Sequence, residues 1–531
     1  MPCRASRRSP AGSALLALLL AVLPAAAVPI DIGSRRELFL DEYLVGHLAG
    51  GARIRLHEPV PRGVAVVHDA PWEGSGSGYH SVFRDGDRYR MYYKAWQRTI
   101  GPDGLNLTPH GLYCAYAESD DGITWRKPEL GLFEFQGSRA NNIVLVDDLL
   151  PRVDAGHAAV FRDENPAALP EGRYKTLLRY GRGGPAVSPD GRPARGLVPF
   201  QSADGLRWTP LRTEPVITHG AFDSQNLAFW DGERGVYRAY WRYFDGESES
   251  QPQRGARSIR TAVSRDFVHW EEEADLRYVD SPVEELYTNQ IKPYHRAPHL
   301  LIGFPTRYVD RGWSPSMRAL PEREHREWRA ALDVGVGSST RLGTALTEAL
   351  IMVSRDGVTF KRWNEAFLRP GVERRGSWNY GHQYLAWHVV QTRSEVPGAP
   401  DELSLYALED YWTGDSSVLR RYTLRLDGFA SVWAPAGGGQ LVTKPLRFVG
   451  GRLRLNFATA AAGDIRVELQ TEDGEPIPGF TLHDCPPLFG DTVEREVTWF
   501  GGSDVSALAG RAVRLRFLMR DANLYSFQFS P

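Results

Sequence analysis

The sequence predicts an all-β chain, a five-bladed β-propeller followed by a C-terminal antiparallel β-sandwich. Three observations carry this. A short Ser-x-Asp-Gly unit recurs, runs of alternating polar and apolar residues precede its copies in the same order, and the pattern stops near Ala436-Gly437-Gly438-Gly439. A unit that returns along the chain fixes an architecture before any single motif is weighed.

In chain order, residues 1–27 come first. Arg4, Arg7 and Arg8 give a positive start, Ala14 to Leu23 an apolar run, and Ala25-Ala26-Ala27 a small-residue cleavage site. That is the pattern of a secretory signal peptide. The run is shorter than the ~20 apolar residues that span a bilayer, so the expectation is a secreted or periplasmic protein without a transmembrane segment. Residues 28–435 are then the propeller. Its turns are Ser119-Asp120-Asp121-Gly122, Ser202-Ala203-Asp204-Gly205, Ser264-Arg265-Asp266-Phe267 and Ser354-Arg355-Asp356-Gly357, with a weaker fifth at Asp427-Gly428. Asp bonds its own backbone in such a turn and Gly supplies the positive φ. Trp125, Trp208, Trp270 or Phe360 then opens the next strand.

Upstream of the first turn, Tyr79 to Arg84 leads through Asp85-Gly86-Asp87 into Tyr89 to Tyr93, and Leu112 to Ala117 follows. The third unit repeats this with Leu227 to Trp230, Val236 to Trp241 and Ile259 to Val263. Such runs are half-buried strands joined by hairpins, and four strands per unit in five units make a propeller. One turn of this kind fits any antiparallel sheet, whereas an ordered series with matching strands favours the wheel. Pro321 to Leu332 is expected as a short helical insertion with its charges on a solvated face. Residues 436–531 alternate in Leu453 to Phe457, Ile465 to Leu469 and Val513 to Phe517, the texture of a separate sandwich.

Composition removes several function classes. With 63 Lys+Arg against 65 Asp+Glu, no basic excess exists for nucleic acid. At 11% aromatic residues the chain buries a core and is not disordered. Beyond the signal segment only Cys114 and Cys485 remain, expected as two buried thiols. No Gly-x-Ser-x-Gly elbow occurs, and Gly74 to Gly78 lacks the Lys-Ser/Thr end of a phosphate loop.

The signal segment, the repeated turns and the C-terminal sandwich together resemble the five-bladed-propeller glycoside hydrolases of families 32, 43 and 68. The resemblance covers the chain after residue 27 in architecture. It does not extend to family 32 motifs, since Trp-Met-Asn-Asp-Pro, Arg-Asp-Pro and Glu-Cys segments are absent. The opening Phe39 to Leu44, Phe-Leu-Asp-Glu-Tyr-Leu, is similar to that of bacterial exported propeller proteins.

In such a propeller, the starts of the innermost strands line one axial mouth, where small ligands bind. Those starts are near Tyr79-His80, His157, Gln225-Asn226, Asn289-Gln290 and His382-Gln383. His80, His157, Gln225, Asn289, His382 and Gln383 are therefore candidate sugar-binding residues, because sugar hydroxyls both donate and accept. Mutual hydrogen bonding around the axis explains the same residues equally well. Glycoside cleavage needs one carboxyl group as acid and another as base or nucleophile. Glu284 is expected as the acid, so that Glu284→Gln would remove turnover and leave folding intact. Asp223 is expected to orient substrate or stabilise the transition state, and Asp69 or Asp154 to act as nucleophile or base. Turn capping or pairing with Arg competes with each role, most strongly for Asp69 and Glu73. Trp72, Trp96, Trp241, Trp313 and Trp378 either stack on sugars or wedge between blades.

No cofactor is expected. His68, His80, His157 and His382 leave room for a divalent cation near the axis of the kind the resemblance implies in some family 43 enzymes, although they lack compact ligand spacing. The leading expectation is an exported enzyme cleaving glycosidic bonds of a polysaccharide or oligosaccharide. A non-catalytic glycan-binding propeller and a purely structural propeller are the alternatives.

Overall fold

The computed structural model describes residues 28–102, 104–107, 110–181, 194–247, 254–332 and 340–531. The expected signal peptide, 1–27, lies outside them. Five sheets form the blades, antiparallel except where Arg277–Val279 pairs in parallel with Thr359–Arg362 at the edge of the fourth. The first contains Gly78–Asp85, Arg88–Ala95, Tyr113–Ser119 and Ile143–Val146, and the second centres on Tyr174–Tyr180 and Gly196–Ser202. The third is Leu227–Asp231, Val236–Phe244, Arg257–Ser264 and Trp270–Asp275. The fourth runs from Lys292–Tyr294 through Ala297–Gly303 and Met352–Ser354 to Thr359–Arg362. The fifth joins Val390–Thr392, Glu402–Glu409 and Val418–Arg425 to Val60–Val67. An early strand thus completes the last blade, which leaves the ring without an open edge there.

The four Ser-led turns share one geometry. Gly122 N donates to Ser119 Oγ (2.8 Å), while Asp121 Oδ1 accepts from the N–H groups of Ile123 (2.7 Å) and Thr124 (2.8 Å). The Ser354 copy repeats the pattern, with Gly357 N on Ser354 Oγ and Val358 and Thr359 on Asp356 Oδ1. Each turn also fastens its blade to the one before it. Tyr406 of the fifth blade donates its hydroxyl to Gly122 O, and Tyr240 of the third donates to Gly357 O. In the third copy Phe267 replaces Gly at φ 70° and packs its ring 5.7 Å from Phe161 of the second blade. The strain of that backbone is offset by ring burial between blades.

Asp427 departs from the pattern. No outer strand follows it, because the chain passes directly into Ala430–Ala434, which pairs with Arg53–Leu56 and Val513–Ser530. Its buried carboxylate instead accepts from Tyr294 Oη (2.8 Å), Arg296 Nε (2.8 Å), Ser526 Oγ (2.7 Å) and Asn456 Nδ2 (3.2 Å), with Arg36 Nη1 at 3.4 Å. The partners come from the fourth blade, the first strands of the chain and the C-terminal sheet.

Strand pairing cuts across the expected division at 435 and 436. Ile30–Gly33, Arg36–Leu38, Val45–Ala49 and Arg53–Leu56 all pair within the C-terminal ten-stranded sheet. Its two longest strands, Arg452–Thr471 and Val513–Ser530, shift register between Thr459 and Asp464. Leu453, Leu455 and Phe457 on one side of the shift share a core with Ile465, Val467 and Leu469 on the other, so both halves of these strands bury residues in one core. Cys114 and Cys485 are buried free thiols.

The charged insertion is helical over Pro315–Ala319, Arg323–Leu332 and Arg341–Thr344. Its face is not wholly solvated, which corrects the expectation. Arg326 and Arg329 are buried, donating to Trp378 O (2.8 Å) and to Asn379 Oδ1 (2.7 Å), because guanidinium groups enter protein interiors when carbonyl acceptors meet them.

Replacing Asp427 with Ala leaves two guanidiniums without their buried counter-ion, and is expected to cost about 3–5 kcal/mol in denaturant unfolding. Burial opposes ionisation of Asp427, but Arg296 and Arg36 hold its carboxyl below the ordinary range. Its contribution is therefore complete above about pH 4 and is lost as pH falls toward the folded value. Acid titration of the wild type should show this loss, and the Ala variant should lack it.

Candidate functional site

The propeller axis is closed at mid-depth. Gln290 Nε2 donates to Gln225 Oε1 (2.8 Å) and Leu385 O (2.7 Å), and Gln225 Nε2 donates to Tyr79 O (3.0 Å). Trp387 N donates to His80 O (2.8 Å), which stitches the fifth inner segment to the first. Gln225 is therefore a plug. Other expected sugar-binding groups are also committed to the protein. His80 faces His68 across a 3.0 Å Nε2–Nε2 contact, and burial pushes both imidazoles down, His68 to about 4. Asn289 Oδ1 accepts from Ile291 N at 3.4 Å, His382 Nδ1 accepts from Trp378 N at 2.9 Å, and Gln383 Nε2 donates to Tyr422 Oη at 3.1 Å. Each of His80, Gln225, Asn289, His382 and Gln383 thus has at least one protein partner, while the Oε1 of Gln383 has none.

His157 differs, because it stands at the first mouth. Asp154 Oδ2 lies 2.8 Å from His157 Nδ1 and 3.4 Å from Arg179 Nη1, while Oδ1 accepts from Gly156 N. From the next blade Asp223 pairs with Arg242. Burial raises the Asp223 carboxyl, but Arg242, then Arg179 and His157, hold it below the usual carboxylate range. Those shared influences join the Asp154 and Asp223 groups into one cluster. Glu285 pairs with Arg257 beside them. The Asp223 side chain is 42% exposed, so this anion faces solvent.

Tyrosines brace the two arginines. The Arg242 guanidinium lies 4.9 Å from the Tyr287 ring centre and that of Arg257 4.5 Å from Tyr308, a cation–π arrangement that fixes each plane. Asp223, Arg242, Arg257, Tyr287, Tyr308 and Tyr380 line a cavity of about 50 Å³, which Arg341 and Leu342 of the insertion also line. Beside it Lys94 Nζ donates to Tyr411 Oη (2.9 Å) and sits 4.7 Å from the Tyr79 ring centre. Tyr79 holds φ 54°, a conformation that side chains other than Gly rarely adopt and that marks strained sites. Burial pushes the phenols of Tyr79, Tyr380 and Tyr384 far up, so they are donors at any physiological pH.

Two expected catalytic carboxylates stand apart from this cluster. Asp69 is 70% exposed and lies 3.2 Å from Lys127. Its neighbour Glu73 is a buried turn element that receives Tyr93 Oη, Lys127 Nζ and Ala70 N. Glu284 is held by Arg307 Nη1 (2.9 Å) and Arg362 Nη2 (3.0 Å). Both its oxygens meet guanidinium groups, which leaves none to present a proton to a glycosidic oxygen. Among the described residues no three His, Cys, Asp or Glu gather as a metal requires.

Residue spacing missed Arg242, Arg257, Lys94 and the tyrosine basket. Their signal was present but mute. Arg242 sits in Val236–Phe244 among Tyr240, Trp241, Tyr243 and Phe244, where a charge within an aromatic strand already implied a partner inside. Asp410, next to Tyr411, was missed as well. Burial first, then the Glu409 carboxylate, raise its carboxyl to about 6 against the pull of Arg374.

Glu284→Gln removes the counter-ion of two arginines. The expected outcome is a loss of about 2 kcal/mol in chemical denaturation, with loss of stability replacing the earlier expectation of a folded but inactive protein. For Asp410 the sign is reversed relative to Asp427. A carboxyl raised in the folded state costs stability as pH rises from about 4 through 6, so Asp410→Asn should stabilise the protein above pH 6 and leave it unchanged at pH 4 in thermal melts.

No family model matches the chain, and no curated protein matches it. Among solved structures, the catalytic domain of a family 62 glycoside hydrolase, an α-L-arabinofuranosidase from Coprinopsis cinerea, aligns at 9% identity over 70% of this chain and 99% of its own, with a TM-score of 0.40. A glycosyl hydrolase from Bacteroides ovatus aligns at 12% identity over 74% and 99%, with a TM-score of 0.36. An N-acetylgalactosamine deacetylase from F. plautii, in complex with blood group B trisaccharide, aligns at 13% identity over 71% and 95%, with a TM-score of 0.38. These likenesses are of fold and assign no residue a role.

Proposed function

We propose that the chain is an exported carbohydrate-active protein that binds a saccharide at the first mouth and hydrolyses a glycosidic bond there. Export rests on the charge and apolar pattern of residues 1–27, and no helix among the described residues is long and apolar enough to cross a membrane. The observation that supports the chemistry is the gathering of Asp154, Asp223 and Glu285 at one mouth, each beside an arginine. Paired carboxyl groups across a bound sugar are what hydrolysis requires.

In this reading Asp223, ionised and exposed, is the nucleophile or base. Glu285 takes the acid role first given to its neighbour Glu284. Asp154 orients His157, whose free ring nitrogen meets a sugar hydroxyl, and the tyrosine basket supplies phenol donors and apolar ring faces. A cavity of about 50 Å³ admits one ring substituent, so the ring itself lies outside Asp223.

One observation favours the non-catalytic alternative. Every mouth carboxylate is matched by a guanidinium, an arrangement that suits an anion better than a proton donor. Screening polysaccharides and aryl glycosides with wild type and Asp223→Asn separates the two. For an enzyme, the variant should lose about 100-fold or more in kcat and keep glycan affinity. Glycan binding by a wild type with no turnover selects the alternative, and full activity in the variant removes Asp223 from its role.

A further inference from the structure

The opposite mouth of the same axis holds a larger cavity. Its volume is about 760 Å³, and each blade or the link beside it contributes, through Phe83, Glu164, Trp230, Lys292, Tyr294 and His388 among others. Cavities of this size receive small organic ligands. The Gln225–Gln290 contact separates it from the first mouth, and Gln290 itself lines it.

Lys292 stands on this cavity. No carboxylate lies within ion-pair distance of it among the described residues. Its Nζ lies 3.4 Å from His388 Nε2 and 5.8 Å from the Trp387 ring centre. Burial drives its ammonium down to about 8, with only Glu164 acting against the shift. His388 is kept neutral by its own burial and by Lys292, and its φ of 86° places it in a conformation rare outside Gly. An ammonium without a counter-ion on a cavity is costly unless an anionic ligand answers it.

We propose that this second mouth binds an acidic monosaccharide unit, a uronic acid whose carboxylate meets Lys292. The ammonium requires an anion, and the half-buried Trp230 offers a ring face for the C–H side of a pyranose. A uronic acid carries both features within the volume available. The proposal is independent of hydrolysis at the first mouth, from which the glutamine plug divides it.

Glucuronate and glucose differ only at C6, so comparing them isolates the carboxylate. Calorimetry on the full chain should show glucuronate binding at least about tenfold tighter than glucose, the effect of one charge-assisted hydrogen bond. Lys292→Met should abolish the preference and Lys292→Arg should retain most of it. Should Lys292→Met fail to fold, wild-type protein treated with limiting acetic anhydride decides, since glucuronate but not glucose should protect Lys292 from acetylation as read by peptide mass. Absence of glucuronate binding, equal affinity for the two sugars, a preference that survives in Lys292→Met, or no protection of Lys292 would each overturn the proposal.

Discussion

One buried carboxylate joins the parts of this protein that sequence order keeps apart. Asp427 receives groups from the fourth blade, from the opening strands and from the C-terminal sheet, and an ion in such a place is tolerable only because every oxygen is answered. A propeller is a ring, so its weakest point is where the chain ends must meet. Here two devices act at that seam. Val60–Val67 supplies the missing outer strand of the fifth blade, and Asp427 anchors the chain as it leaves that blade for the sandwich. The effect reaches the axis. Tyr294, held by Asp427, lies in the short inner strand that follows Gln290, whose amide joins the third and fifth blades.

The same rule of answered charge shapes the first mouth. Asp154 with Arg179, Asp223 with Arg242 and Glu285 with Arg257 are ion pairs. The guanidiniums of Arg242 and Arg257 are each held twice, by a carboxylate and by a tyrosine ring. The site therefore needs little reorganisation when a polar ligand arrives, which is the condition under which fixed dipoles and charges act most strongly. The cost is that the Asp223 carboxyl is biased toward the ionised form.

What the sequence made legible was what is local. The turn at Ser354 to Thr359 is written in residues that bond one another, so its geometry follows from its spelling, and a series of such turns disclosed the blades. Asp427 carries the same Asp-Gly spelling with a different task, because its partners lie in distant segments and no local pattern announces them. The acidic pair Glu284-Glu285 shows a second limit. Adjacent side chains on extended backbone point to opposite sides, and both residues are acidic, so nothing in the spelling tells which one faces the mouth. Glu284 turns to Arg307 and Arg362, Glu285 to Arg257. The axial amides were correctly placed on the inner strands, yet their use depends on what stands across the axis. Gln225 meets Gln290, and a plug results where a ligand site was the competing expectation.

The two mouths then differ in a way that follows from this plug. On one side, each mouth carboxylate has its cation before any ligand binds, and selectivity must come from shape, phenol donors and the exposed edge of Asp223. On the other, Lys292 lines a roomy cavity with no carboxylate beside it, its Nζ meeting only the neutral His388 ring. Arg326 and Arg329 are also buried without carboxylates, but backbone and amide oxygens receive them. The place of Lys292 is best understood through the cavity it lines, since an anion bound there would supply the counter-ion that the fold itself withholds.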